Sequence, residues 1–277
     1  MTAIGPVSED VRRALAEDVG TGDLTAALIP ADRAGEATVI SRETAVICGR
    51  DWFDAVYHQL DPEVTIRWHV NDGDAIESGT LLCELQGPAR SLVTGERTAL
   101  NFLQLLSGTA TTARSYARAV EGTGTRILDT RKTIPGLRQA QKYAIACGGC
   151  TNHRHGLYDA ILIKENHIIA AGSIQQAVQE SRRLHPDVTI AVEVESLAEL
   201  DEALSAEADI VLRDNFSLDD LALARERTGD RARLEASGNV ETQGLQAIAA
   251  TGVDFISVGA MTKHVRAVDL SMRFRKA

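Results

Sequence analysis

The stretch TIAVEVESLAELDEALSAEADIVLRDNF, residues 189–216, decides the fold. A short apolar run at Thr189–Ser196 is followed by a helical pattern at Leu197–Ala206 and a second apolar run at Asp209–Asn215. That is one strand–turn–helix unit leading into the next strand. The rhythm extends outward. Further apolar runs stand at Arg126–Thr130, Ala160–Asn166, Arg233–Asn239 and Asp254–Ala260, with helical patterns at Ser173–Leu184, Leu218–Thr228 and Thr242–Thr251. Units repeating at this spacing imply a parallel sheet, closed or partly closed into an α/β barrel. A doubly wound sheet would prefer a Gly-rich loop after its first strand, and no G-x-G-x-x-G occurs.

The runs end in polar residues: Lys164-Glu165-Asn166, Glu193-Val194-Glu195, Asp214-Asn215, Ser237-Gly238-Asn239 and Gly259-Ala260. Barrel active sites lie on this C-terminal rim. Period-two alternation sets Glu193 and Glu195 opposite Val192 and Val194, so both carboxylates are expected to face the barrel interior. Buried carboxylates need a cation. An internal ion pair with a neighbouring strand is one answer, and a metal or substrate-cation site is the other. Glu193 and Asp214 are the hard oxygen donors that suit Mg²⁺, directly or through water. Ser237-Gly238-Asn239 and Gly259-Ala260 offer unobstructed backbone N–H groups of the kind that cradle a phosphate.

Residues 126–169 run against the rest of the chain in charge. They hold Arg126, Arg131, Lys132, Arg138, Lys142, Arg154 and Lys164 against Asp129, Asp159 and Glu165, within a chain of net charge −10. His153, His155 and His167 also lie there. Cations on turns at strand ends suit a small, multiply anionic ligand. Together the rim reads as a site for a phosphorylated sugar with Mg²⁺ and a carboxylate-bearing acceptor.

The first half mixes elements. Ser8–Glu17 reads as an amphipathic helix with Ser8 as N-cap and Val11, Leu15 and Val19 on one face; Gly95–Ser107 reads as a second helix. Strand patterns fall at Ala37–Ile40, Ala45–Cys48 and Val64–Val70, with turn chemistry at Asn71–Asp74 and Ser78-Gly79. Val70–Leu82 resembles the sandwich of biotinyl and lipoyl carriers, but no lysine follows through residue 108 to serve as an attachment point. The division is expected near residue 110: an N-terminal α/β sandwich at 1–110, a barrel at 111–266, and a segment at 267–277 returning to the first domain. An acidic chain of pI near 5.2 lacks the broad basic surface of a nucleic-acid binder. No apolar run reaches membrane-spanning length and no leader pattern opens the chain, so a cytoplasmic protein is expected. Four cysteines suggest reduced thiols, and Cys147-Gly148-Gly149-Cys150, lacking a second C-x-x-C, reads as a turn rather than a zinc or redox site.

Several motifs carry a family resemblance: Leu128-Asp-Thr-Arg-Lys-Thr-Ile-Pro-Gly-Leu-Arg138, Asn152-His-Arg154, Leu162-Ile-Lys-Glu-Asn-His167, Glu193-Val-Glu195, Asp214-Asn-Phe216, Ser237-Gly-Asn239, Gly95-Glu-Arg-Thr-Ala-Leu-Asn101 and Val258-Gly-Ala260. From about residue 5 onward the chain resembles the quinolinate phosphoribosyltransferases, which make nicotinate mononucleotide, CO2 and diphosphate in NAD biosynthesis. The resemblance implies an α/β sandwich domain plus an incomplete barrel, and a homodimer. It implies that Arg131, His153, Arg154 and Lys164 hold quinolinate, with Arg97 donated across the dimer interface. Lys132, Glu193 and Asp214 are then the catalytic group at phosphoribosyl diphosphate and Mg²⁺, and Ser237, Gly238, Asn239, Gly259 and Ala260 line its phosphate site.

Two residues depart from the family pattern. Cys150 replaces a usual glycine, which implies a strained turn. Arg213 replaces a usual apolar residue and is expected to face away from the site, ion-paired to Asp219 or Asp220. Three rival readings stand beside this one: an aldolase using Lys164 as a Schiff-base amine, a transferase acting on nicotinate without decarboxylation, and a non-enzymatic homologue associated with molybdenum transport.

Overall fold

A computed structural model describes residues 6–214, 216–238 and 244–275. In chain order the elements are α1 (Pro6–Asp18), β1 (Ala34–Ser41), β2 (Ala45–Val46), α2 (Arg50–Leu60), β3 (Thr65–Trp68), β4 (Ala75–Ile76), β5 (Leu81–Pro88) and α3 (Ala89–Ala119). Then come β6 (Arg126–Leu128), α4 (Arg138–Cys147), β7 (Ile161–Ile163), α5 (Glu165–Ala171), α6 (Ile174–Leu184), β8 (Ile190–Val194), α7 (Leu197–Ser205) and β9 (Ile210–Asp214). The chain closes with α8 (Leu218–Thr228), β10 (Arg233–Ser237), α9 (Leu245–Ala250), β11 (Phe255–Ser257), α10 (Ala260–Lys263) and β12 (Leu270–Phe274). Two compact units result: residues 1–114, 133–149 and 264–277 form one, and residues 115–132 and 150–263 the other.

The first unit is built on an antiparallel sheet ordered β12-β1-β5-β3, with a small β2-β4 ladder. Strand β12 pairs along β1 from Ala37–Phe274 to Ser41–Leu270, so the end of the chain completes a sheet begun near its start. Phe53, Tyr57, Leu82, Leu85, Leu92 and Leu103 are fully buried in its core. Buried acids here are matched to donors. Asp10 accepts from Trp52 Nε1 at 3.2 Å and Arg13 at 2.8 Å, and Asp54 accepts from Trp68 Nε1 at 2.8 Å.

The second unit is a six-stranded parallel sheet ordered β6-β11-β10-β9-β8-β7. Among the described residues its end strands β6 and β7 do not pair, so the barrel is open. A parallel bridge from Leu128 to Thr151 lies beyond β6. Ser173, Ser196 and Ser217 cap α6, α7 and α8, each side chain accepting a backbone N–H of the first turn. A repeated clamp fixes two strand entrances. Asp209 Oδ2 takes the N–H of Ile190 and Arg182 of α6; Asp254 Oδ2 takes the N–H of Leu234 and Arg225 of α8.

Several expectations need correction. Helix α1 starts at Pro6, so Ser8 lies inside it, where its carbonyl and hydroxyl accept from Gln59. Helix α3 runs 31 residues, well beyond Gly95–Ser107. Strand β7 stops at Ile163, and Lys164 caps α5, its N–H donating to His167 Nδ1 at 3.0 Å. Strand β8 ends at Val194, which leaves Glu195 outside the sheet and exposed rather than in the barrel interior. Cys150 does not have a positive φ. Gly149, at φ +97°, takes the left-handed conformation, and Cys150 is buried with Sγ 3.9 Å from Met261 Sδ.

Candidate active site

The C-terminal ends of the parallel strands gather most of the expected residues. Lys164, just past β7, forms an ion pair with Glu193 near the end of β8. The ion-pair answer offered for the carboxylate is the one observed, and the pair stands at the C-terminal ends of the strands. Asp214, the last residue of β9, pairs in register with Ser237, the last of β10. Gly238 follows at φ +138°, a conformation that L side chains rarely adopt. Asn239 lies outside the described residues.

Lys132 and the end of β11 meet closely. A Cβ on Gly259 would stand 2.8 Å from Lys132 Cδ and 3.4 Å from Thr130 Oγ1, so the lysine stem occupies the space that a side chain would need. Thr262 Oγ1 donates to the Lys132 carbonyl at 2.9 Å, and the Lys132 N–H donates to Thr130 Oγ1 at 3.1 Å. Glycine at 259 is thus a requirement of the lysine's path. Ala260 opens the short helix α10 directly after it.

Arg131 and Arg154 lie near enough to act on each other as like charges. Burial and the Arg131 charge both draw the Arg154 pKa below the ordinary range, against the opposing pull of Asp159. Arg131 Nε is buried without a hydrogen-bond partner, and Arg154 Nη1 reaches the Ala160 carbonyl at 3.1 Å. Two guanidiniums held this way are completed by an anion, and their planar forks suit carboxylates. His153 sits beside them: its N–H donates to the buried Asp129 at 2.7 Å, and its Nδ1 accepts the Arg154 N–H at 2.7 Å. Arg97 belongs to the other unit, exposed on α3.

One residue of this unit escaped the sequence reading, and another was read only in part. Glu235, in mid-β10, is fully buried and neither carboxylate oxygen has a hydrogen-bond partner. Burial pushes its pKa up to about 7, against the pull of the Ser257 hydroxyl; Glu193 adds to the rise and Lys164 opposes it. A charged residue inside the run Arg233–Ser237 was the available signal. Arg213 makes no salt bridge to Asp219 or Asp220, contrary to expectation. Its guanidinium lies 3.1 Å over the Phe216 ring and donates once, to the Ser196 carbonyl at 3.2 Å. Burial draws its pKa down to about 10, with Asp220 and Glu199 opposing from a distance.

No group of three His, Cys, Asp or Glu side chains among the described residues is arranged as a metal cage. Asp214 and Glu193 stand as single carboxylates at the ends of neighbouring strands rather than in such a cage. No helix among the described residues is long and apolar enough to cross a membrane.

Comparison with known proteins agrees with this geometry. The family description "Quinolinate phosphoribosyl transferase, C-terminal domain" matches residues 109–273, and the corresponding N-terminal domain matches residues 23–107. The nicotinate-nucleotide pyrophosphorylase structure from Francisella tularensis is 48% identical, with a TM-score of 0.95 over 98% of this chain and 96% of that one. A probable nicotinate-nucleotide pyrophosphorylase [carboxylating] of Bacillus subtilis is 41% identical over 92% of this chain and 89% of its own length. The Mycobacterium leprae nicotinate-nucleotide pyrophosphorylase [carboxylating] is 40% identical over 95% of each. With both domain descriptions matched in order and relatives this similar along nearly the whole length, the chain belongs to the quinolinate phosphoribosyltransferase family.

Proposed function

We propose that this chain transfers the phosphoribosyl group of phosphoribosyl diphosphate to quinolinate, releasing diphosphate and CO2 and leaving nicotinate mononucleotide. The observation that carries the reading is the pair of neighbouring like charges Arg131 and Arg154, with a buried unpaired N–H, in the unit that also holds the Lys164–Glu193 pair. The guanidiniums, with His153 and Lys164, would take the two acceptor carboxylates. Lys132 would stand at the diphosphate. Ser237, Gly238, Asn239, Gly259 and Ala260 would receive the 5′-phosphate.

The ring nitrogen attacks the anomeric carbon as the C–O bond to diphosphate breaks, through a transition state with oxocarbenium character. Glu193 and Asp214 would stabilise that positive charge from below the ribose. Mg²⁺, held by Asp214 and Glu193 directly or through water, would supply charge neutralisation on the departing diphosphate. As the neighbouring carboxylate leaves as CO2, the electron pair of the broken bond stays on the ring carbon, stabilised by the adjacent positive nitrogen, and that carbon takes up a proton. The side chains bind, orient and stabilise charge; no covalent nucleophile is required.

The test is an assay of quinolinate with phosphoribosyl diphosphate and Mg²⁺, following CO2 and diphosphate together. One of each per turnover is expected. Diphosphate without CO2, or turnover with nicotinate alone, would overturn the reading. The homodimer and the donation of Arg97 to the partner's site belong to the same proposal, as does a cytoplasmic location. Mixing inactive Arg97→Ala and Lys132→Ala subunits should restore partial activity, because one of the two hybrid sites carries both residues. No recovery, with subunit exchange demonstrated, would show that each site is contained in one chain.

A further inference from the structure

Glu235 is a buried group of the parallel unit that the proposed reaction leaves without a task. In register it stands beside Leu212 of β9 and Phe255 of β11, and Glu193 of β8 is the next member of the same row. It therefore shares the face that carries Glu193. Full burial with both oxygens unpartnered is expensive, and leucine would fill the position without that cost.

The ring of His153 faces it, with Nε2 3.7 Å from Glu235 Oε2. That gap is longer than a hydrogen bond, so a small movement of either side chain closes it. The opposite ring nitrogen, Nδ1, accepts the Arg154 N–H at 2.7 Å. A backbone N–H can only donate, so Nδ1 carries no proton and the ring proton sits on Nε2, the atom facing Glu235. The ring is thereby addressed by Arg154 at Nδ1 and Glu235 at Nε2, while Asp129 holds the backbone N–H of the same residue. The remaining polar groups around the carboxylate are Ser257 from β11, Lys164 past β7 and Glu193 from β8.

We propose that Glu235 is a positioning residue: its carboxylate reinforces the Nε2–H tautomer that the Arg154 N–H selects, holds the tilt of His153, and through the Nδ1 contact steadies the backbone from which Arg154 reaches the acceptor. This rests on the reading of Arg154 and His153 as the acceptor clamp. Glu235 then acts on quinolinate binding and leaves the phosphoribosyl donor alone.

Glu235→Leu keeps the volume and removes the acceptor, whereas Glu235→Gln keeps an oxygen for the Nε2–H. The leucine variant should raise KM for quinolinate about tenfold, the scale of one lost hydrogen bond, with KM for phosphoribosyl diphosphate changing less than about twofold. The glutamine variant should recover most of the loss. Long-range ¹H–¹⁵N spectra of the histidine rings should show His153 as Nε2–H in the wild type and a tautomer mixture in the leucine variant. Equal changes in both KM values, or an unaltered His153 tautomer, would sink the proposal. If the wild type turns over no quinolinate, the functional reading fails, and the tautomer experiment still decides the role of Glu235. If the leucine variant does not fold, Glu235→Met, which also lacks the acceptor, takes its place, and an unaltered His153 tautomer there overturns the idea.

Discussion

The two units treat buried charge in opposite ways. In the antiparallel unit, Asp10 and Asp54 are each given an indole N–H, and Asp10 also has a guanidinium. In the parallel unit, Glu235, Arg213 and Arg131 hold five of the six buried side-chain N or O atoms left without a partner among the described residues. A satisfied buried carboxylate contributes to one fixed packing; an orphaned one costs stability and persists where a ligand or a neighbouring side chain uses it. The difference separates a unit that holds shape from one that holds chemistry.

The sharpest test of that contrast is Glu193→Gln. If the rim carboxylates serve the reaction, turnover should fall about 100- to 1000-fold, as when a preorganised transition-state contact is lost, with little change in quinolinate affinity or melting temperature. A large drop in melting temperature with near-normal single-turnover chemistry would instead make Glu193 a structural partner of Lys164.

Next in size is the pH dependence of stability. The folded pKa of Glu235, about 7, lies above its ordinary 4.5, so between those values the folded state keeps a proton that the unfolded chain has lost. Stability should fall as pH rises from about 4.5 to 7 and stay level above, a loss of roughly 3 kcal/mol at most. Glu235→Gln should flatten that part of the curve in urea titrations. Asp54, raised to about 6 by burial against the pull of Trp68, should add a shallower fall ending near pH 6. A wild-type curve that is flat across the window would contradict both.

Arg154→Ala should weaken quinolinate binding by about 1.5–3 kcal/mol, the range for a hydrogen bond to a charged group. Because Arg131 and Arg154 repel one another in the free protein, the same variant should not melt lower; calorimetry beside a binding isotherm reads both. Asp10→Asn is the counterpart in the other unit, with an expected loss of about 1–2 kcal/mol of stability from weakened Arg13 and Trp52 contacts. The smallest effect belongs to Arg213→Leu. Two of its guanidinium nitrogens lack partners, so leucine should change stability by less than about 1.5 kcal/mol in either direction. A loss above about 3 kcal/mol would show that the Phe216 and Ser196 contacts matter more than the missing ones.

Much of the parallel unit was legible because each strand is a short apolar run closed by polar residues, and because α6, α7 and α8 are each capped by a serine at a run's edge. The boundaries that moved did so for local reasons. Lys164 stops β7 because His167 accepts its N–H and turns the chain into α5. Helix α3 outruns its apolar stripe because small residues, Ala110 and Ala113, carry the buried face. Thr109, Thr111 and Thr112 bond back to the carbonyls four residues earlier, so polar residues there do not signal a loop. At the site, alternation identified Glu193 but placed Glu195 wrongly, since period two holds only while the strand lasts. It put Arg213 on the correct face without revealing that Phe216 turns back under it. Glu235 was missed because attention went to strand ends, where ligands are usually met, and not to the row beneath them.

The pairing of β12 with β1 has a consequence for synthesis. A ribosome delivers β1 early and β12 much later, with the whole parallel unit translated between them. The first unit cannot complete its sheet until β12 has emerged, and until then β1 presents an open edge. The later unit can fold first, inverting the usual N-to-C order of domain maturation. A stalled or C-terminally shortened chain would hold a finished parallel sheet beside an unfinished antiparallel one.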